Sequence, residues 1–133
     1  MLTLTIRTDK PEAEIGLYRD EKQIDYVIWL AHRQLAETIH LKVADMLAVN
    51  NMSLQAIDGI ACYAGPGSFT GLRIGLSVAN SLSYALQSKL VAETGDDWLI
   101  KSLKKLKAGQ HDVLAIPEYG AEVHITPPKT VLR

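Results

Sequence analysis

The stretch GPGSFTGLRIG, residues 65–75, decides the fold, because it joins an apolar run to a long helical pattern. Residues 57–64 (IDGIACYA) precede it and are typical of a strand that is covered on both faces. Apolar residues at helical spacing follow it, from about residue 69 to residue 87. We therefore expect a strand, a tight glycine-rich corner and a helix in direct succession.

The chain before this corner changes its period once. Residues 2–6 alternate leucine or isoleucine with threonine, which predicts a half-buried strand. Residues 13–19 and 23–29 predict two more strands, joined by a short polar loop. Residues 32–49 then carry apolar side chains at spacings of three and four, which indicates an amphipathic helix. Three strands so close together favour an antiparallel meander.

The chain after the corner predicts a further strand over residues 89–93 and a third helix over 96–107. Two short strands are expected at Asp112–Ile116 and Glu122–Ile125. The order β-β-β-α-β-α-β-α-β-β indicates an α/β layer fold, in which helices pack on a mixed sheet. The length of 133 residues suits a single domain, residues 1–133.

Composition argues against several classes of protein. The net charge is −1 and the 14 basic side chains are scattered, which disfavours binding to a nucleic-acid backbone. The lone Cys62 excludes an intrachain disulfide framework and fits a reducing compartment. We expect no membrane span and no export signal, and hence a cytoplasmic protein. The four histidines are not spaced as metal ligands, so no metal site is expected.

Three chemical roles are open to the corner. Backbone N–H groups at a helix start attract anions, and Ser68 or Thr70 would cap one of them, yet the glycine spacing is that of neither a P-loop nor G-x-G-x-x-G. Ser68 also lacks the glycine that a nucleophile elbow needs two residues later. The row Gly71, Gly75 and Ala79 forms a groove of small side chains along one face of the helix. Either the chain's own sheet or a helix of another chain would fit it closely.

These residues resemble the signature of the TsaB/YeaZ family, whose bacterial members take part in making threonylcarbamoyladenosine in tRNA. The order of elements, the pair His32-Arg33 early in the first helix and the strand Ile-Asp-Gly-Ile agree with that family, and the similarity covers about residues 1–95. The signature residues are Gly65, Pro66, Gly67, Ser68, Phe69, Thr70, Gly71 and Arg73.

The resemblance implies one actin/Hsp70-like (ribonuclease H-like) lobe over residues 1–95, followed by a short helix and a two-strand remnant of a second lobe over 96–133. It implies a non-catalytic subunit without cofactors, which binds and activates a TsaD-like transferase. It further implies that a TsaE-like ATPase joins the complex, that the chain forms a homodimer when alone, and that tRNA is contacted only indirectly.

Family members pair through two helices of this lobe, here about residues 32–49 and 69–87. We expect Gly75→Leu to abolish pairing while the monomer still folds. The candidate interface residues are Leu35, Ile39, Leu72, Gly75, Leu76 and Ala79.

Two departures from the family oppose ATP hydrolysis. The chain is too short for a full second lobe. The superfamily commonly has an aspartate at the end of its first strand, near the nucleotide phosphates, where this chain has Arg7, with Asp9 displaced by two positions. An arginine only donates hydrogen bonds and cannot hold a metal ion. The alternatives are a small nucleotide-binding protein or enzyme that uses residues 65–71, or a degenerate regulatory homologue.

Overall fold

Five strands form one mixed sheet in the computed structural model, which describes residues 1–112 and residue 116. Across the sheet their order is β3-β2-β1-β4-β5. The first three strands pair antiparallel, whereas β4 runs parallel to β1 and β5 runs parallel to β4. The strands are β1 (Leu2–Arg7), β2 (Glu12–Arg19), β3 (Lys22–Leu30), β4 (Gly59–Tyr63) and β5 (Lys89–Glu93). The predicted α/β class with an antiparallel β-β-β start is confirmed.

Three helices cover the two faces of this sheet: α1 (Leu35–Val49), α2 (Phe69–Leu86) and α3 (Trp98–Lys107). α2 packs on β1, β4 and β5, and α1 lies beside it on β2 and β3. α3 packs on β4 and β5 from the other side of the sheet. It lies on the face of β1 that carries the threonines, whereas α2 lies on the opposite face. Within the described residues, no helix has the length and apolar character needed to cross a bilayer.

β1 lies at the centre of the sheet and is buried on both faces. Its apolar residue Ile6 is fully buried, and Thr3 and Thr5 are each only 1% exposed. The prediction of a half-buried strand is therefore wrong for the threonine side. The cause is tertiary, because Tyr18 of β2 and Tyr26 of β3 lie with Thr5 around the open position above Gly16, and Leu106 of α3 covers the other end of that face.

The predicted order of elements is confirmed as far as the third helix, with differences at the element ends. The first helix begins as a 3-10 turn over His32–Gln34 before α1. Ser68 occupies the cap position of α2, but its side chain makes no capping hydrogen bond, so the prediction of a cap is wrong for Ser68. Residues 113–115 of one predicted strand and the whole of the predicted strand 122–125 lie outside the described residues.

Candidate functional site

The corner between β4 and α2 is held against the end of β1. The Tyr63 hydroxyl donates a hydrogen bond to the Pro66 carbonyl oxygen at 2.6 Å. The Ser68 amide donates to the Asp9 carbonyl oxygen at 3.3 Å. A Cβ on Gly67 would overlap the Cβ of Asp9, so only a glycine lets the two segments come this close. The end of β1 therefore sets where α2 begins.

Arg7 and Asp9 form a two-point ion pair at this end of β1. The Arg7 side chain donates from Nε to one carboxylate oxygen at 2.8 Å and from a terminal nitrogen to the other at 3.2 Å. The hydrogen bond to Asp9 raises the pKa of the Arg7 guanidinium, against the opposing effect of burial. The guanidinium carbon also lies 4.1 Å from the centre of the Tyr63 ring, a cation–π contact. The carboxylate of Asp9, 7% exposed, is thus occupied by its own neighbour.

The described residues contain no cluster of three or more histidine, cysteine, aspartate or glutamate side chains that is arranged to hold a metal ion. The arginine that the sequence places where the superfamily commonly has an aspartate acts here as part of the framework under the corner. Its two partners, Asp9 and Tyr63, each contact the corner directly. Arg7 therefore links the end of β1 to the signature loop.

Two of the small residues on α2, Gly71 and Gly75, face Thr8, which directly follows β1. The Thr8 hydroxyl donates a hydrogen bond to the Gly71 carbonyl oxygen at 2.7 Å. A Cβ on Gly71 would overlap the Thr8 carbonyl oxygen, and a Cβ on Gly75 would overlap the Thr8 hydroxyl. The sequence allowed this row of small residues to pack either within the chain or against another chain, and the structure packs it within the chain. The expectation that Gly75→Leu spares the monomer is wrong for the same reason.

The six residues named as candidate interface residues are buried inside this chain. Each is at most 6% exposed or belongs to the buried row of its helix, and only Leu35 also reaches the lining of a surface hollow. The helical periodicity that singled them out identifies the inner side of each helix, not the outer side. They are Leu35, Ile39, Leu72, Gly75, Leu76 and Ala79.

The outer sides of the same two helices form an open groove of about 400 Å³, which we call the α1–α2 groove. Phe69 stands at its rim with 55% of its surface exposed, and the Arg73 guanidinium lies 5.1 Å from its ring centre. Most of the other side chains in the groove are small or apolar. The lining residues are Ala36, His40, Phe69, Thr70, Arg73, Ile74, Ser77 and Val78.

Three signature residues, Phe69, Thr70 and Arg73, therefore line the groove, whereas the half-buried Gly71 packs against Thr8. The sequence argument missed Ala36, His40 and Ser77 as exposed residues of this groove, and it missed Val78 as a buried residue at its floor. The first three are small or polar side chains on the outer sides of their helices, and Ala36 and His40 are one helical turn apart. Nothing local distinguishes them from an ordinary solvated face.

A second hollow of about 380 Å³ continues the groove toward the corner and shares Thr70 and Ile74 with it. We call it the basic end, because its lining includes Lys10, His32 and Arg33. Ser68, the residue directly before α2, also lines the basic end. The pair His32-Arg33 noted in the sequence is thus brought next to the signature loop by the 3-10 turn that precedes α1.

Comparisons with known proteins agree with this geometry. The family described as TsaD, tRNA N6-adenosine threonylcarbamoyltransferase, matches residues 29–109. The tRNA threonylcarbamoyladenosine biosynthesis protein TsaB of Bacillus subtilis is 31% identical over 124 residues, which cover 91% of this chain and 51% of that protein. The tRNA N6-adenosine threonylcarbamoyltransferase of Geobacter sulfurreducens is 31% identical over 107 residues, which cover 68% of this chain and 32% of that protein.

Among solved structures, YeaZ from Pseudomonas aeruginosa superposes with a TM-score of 0.65 at 29% identity, over 70% of this chain and 43% of that one. The chain spans about half the length of the curated TsaB relatives that it matches. These matches over most of the chain agree with the signature at the corner and with the antiparallel start of the sheet. The chain belongs to the TsaB/YeaZ family and has the actin/Hsp70-like fold of that family.

Proposed function

We propose that this chain is a non-catalytic partner in the biosynthesis of threonylcarbamoyladenosine in tRNA, and that it binds and activates a TsaD-like transferase. The α1–α2 groove carries this proposal, because it is an open surface made partly of signature residues. The names of the relatives support the pathway and the kind of partner. The transferase would cover the outer sides of α1 and α2.

The ion pair between Arg7 and Asp9 at the end of β1 supports a non-catalytic role. Asp9 is engaged on both carboxylate oxygens by Arg7, and its backbone oxygen accepts from Ser68. Rearranging this network to admit a nucleotide phosphate would break a nearly buried ion pair, which is costly. The same proposal includes a cytoplasmic complex joined by a TsaE-like ATPase, with indirect contact to tRNA and no membrane.

The same face would also be available to a second copy of the chain in the absence of the transferase. Such a homodimer would be isologous, with the α1–α2 groove of one copy against that of the other. The proposed function thus has two possible occupants of one surface, and the transferase is the functional one.

The decisive variant is Ser77→Trp, because Ser77 lines the groove and is exposed, so a bulky neutral side chain fills the groove without entering the core or changing its charge. We expect the affinity for the TsaD-like transferase of the same organism to fall at least about tenfold, which corresponds to about 1.4 kcal/mol. Isothermal titration calorimetry measures it. Circular dichroism checks that the variant is folded.

The matched control is Ser53→Trp, which makes the same change at an exposed position outside the groove, before the 3-10 turn at Leu54–Ala56. Its affinity should stay within about twofold of the unmodified chain, as is usual for surface substitutions away from a contact. Equal affinities for Ser77→Trp and Ser53→Trp would show that the transferase does not use this groove.

A further inference from the structure

The α1–α2 groove and its basic end have a one-sided charge. The chain as a whole is balanced, with 14 lysines and arginines against 15 aspartates and glutamates. The two hollows are lined by Lys10, Arg33 and Arg73 together with two histidines, and no aspartate or glutamate is among their lining residues in the described part of the chain. The surface is therefore locally cationic although the chain is not.

Two of these cations are available to a partner. Lys10 is already paired with Glu14, Nζ to Oε2 at 3.3 Å. Arg33 and Arg73 have no carboxylate within ion-pair distance among the described residues. Arg73 is held over the Phe69 ring, which fixes the guanidinium at the groove rim with its nitrogens still open to hydrogen bonds.

The acidic residues of α1 do not cancel this charge inside the groove. Glu37 and Asp45 are exposed on α1, but neither lines either hollow. Glu37 is one helical turn after Arg33 and makes no ion pair with it. The cationic rim is consequently presented to whatever covers the groove.

We propose that the α1–α2 groove selects an acidic protein surface and discriminates electrostatically against a second copy of this chain. The occupant is a partner that places carboxylates beside Arg33 and Arg73 and apolar side chains over Ile74 and Val78. An isologous homodimer through the same groove would instead set this cationic lining, which includes no carboxylate, against an identical lining, and like charges at an interface are costly. This inference rests on the proposed function and adds the reason why the transferase prevails over self-association.

Opposite responses to salt test the inference. The affinity for the TsaD-like transferase and the self-association of this chain are measured at about 25 mM and about 300 mM NaCl, where screening is weak and strong respectively. Calorimetry gives the first and light scattering the second. We expect the affinity for the transferase to fall at least about threefold at high salt. Self-association should be undetectable at low salt or strengthen as salt is added.

Charge reversal locates the effect. Arg33→Glu and Arg73→Glu should each weaken binding of the transferase at low salt by at least about tenfold. The matched control is Lys104→Glu on α3, which makes the same change of charge at an exposed site on the other face of the sheet and should change the affinity less than about twofold. All three variants substitute exposed side chains, so they should fold like the unmodified chain.

The outcomes separate this inference from the proposed function. If Ser77→Trp weakens binding while neither arginine reversal nor salt does, the groove is the interface but charge does not select the occupant, and the inference falls alone. Self-association that is tighter at low salt than at high salt would also overturn it. Failure of the transferase to bind the unmodified chain at either salt concentration would remove both.

Discussion

Thr8 decides at the scale of single residues how closely α2 approaches the sheet. Its hydroxyl is bonded to the Gly71 carbonyl oxygen, and its own carbonyl oxygen lies where a Cβ of Gly71 would be. Glycine costs about 1 kcal/mol in a helix relative to alanine, so this close approach has to compensate for Gly71 and Gly75. The small-residue row is thus explained by an intramolecular contact, before any partner is considered.

The sign of the effect of Gly71→Ala tests this explanation. Helix propensity alone predicts a gain of about 1 kcal/mol in the free energy of unfolding. Overlap with the Thr8 carbonyl oxygen predicts a loss of about 1–3 kcal/mol instead, because a backbone atom directly after a buried strand cannot move aside cheaply. Urea unfolding measures the difference. Ser81→Ala, on the exposed side of the same helix, is the control and should stay within about 0.5 kcal/mol. A stabilised Gly71→Ala would contradict the packing described here.

Helices α1 and α2 each have an inner side that packs in the core and an outer side that faces the α1–α2 groove. The inner side of α2 carries Leu72, Leu76 and Ala79 into the core, and the outer side carries Arg73 and Ser77 into the groove. The loop that starts α2 is fixed by β1 through Arg7 and Asp9, so strand, loop and helix form one connected unit. An element is therefore placed by contacts at its ends as much as by its own apolar face.

Removal of the Arg7 side chain tests this connection. In Arg7→Met the nearly buried Asp9 carboxylate loses both of its charge-assisted hydrogen bonds, and we expect a loss of about 1–3 kcal/mol in the free energy of unfolding. Lys10→Met is the matched control, because it removes only the half-exposed ion pair with Glu14 and should cost less than about 1 kcal/mol. Chemical denaturation measures both. Equal losses would show that the Arg7–Asp9 pair has no special part in holding the corner.

The whole molecule is layered, with α1 and α2 on one face of the sheet and α3 on the other. This arrangement buries several groups that ionise only in alkali. Burial raises the pKa of the Cys62 thiol and of the Tyr18 hydroxyl, and burial together with the hydrogen bond to Glu14 raises the pKa of Tyr26. Each of these groups holds its proton to higher pH in the folded chain than in the unfolded chain.

Stability should consequently decline in alkali. A raised pKa in the folded chain stabilises it fully below the unfolded values, 9.0 for cysteine and 10.0 for tyrosine, and this contribution is lost as the pH rises past them. The urea midpoint should therefore fall between about pH 8 and about pH 10.5. Tyr26→Phe removes one of these groups and should make the decline shallower. A midpoint that is constant over this range, or a slope that Tyr26→Phe leaves unchanged, would contradict the burial described here.

Much of this protein was determined by the sequence alone, because it depends on local patterns. Period-two and helical spacing predict the order of elements up to α3, the antiparallel start of the sheet and the α/β class, and the crowded glycines predict the corner. The resemblance of the signature to the TsaB/YeaZ family is likewise a property of consecutive residues, and the comparisons confirm it.

Only the tertiary structure determined which segment each side of an element packs against. The contact between Thr8 and Gly71 joins residues 63 positions apart, and no local period contains it. It turned the small-residue row inward and left Phe69, Arg73 and Ser77 outside as the surface available to a partner. Thr3 and Thr5 of β1 are buried in the same way, by α3 and by two tyrosines. The alternating pattern of the strand gives no indication of these contacts. Periodicity records which side of an element is apolar, whereas packing between distant segments determines which side remains free.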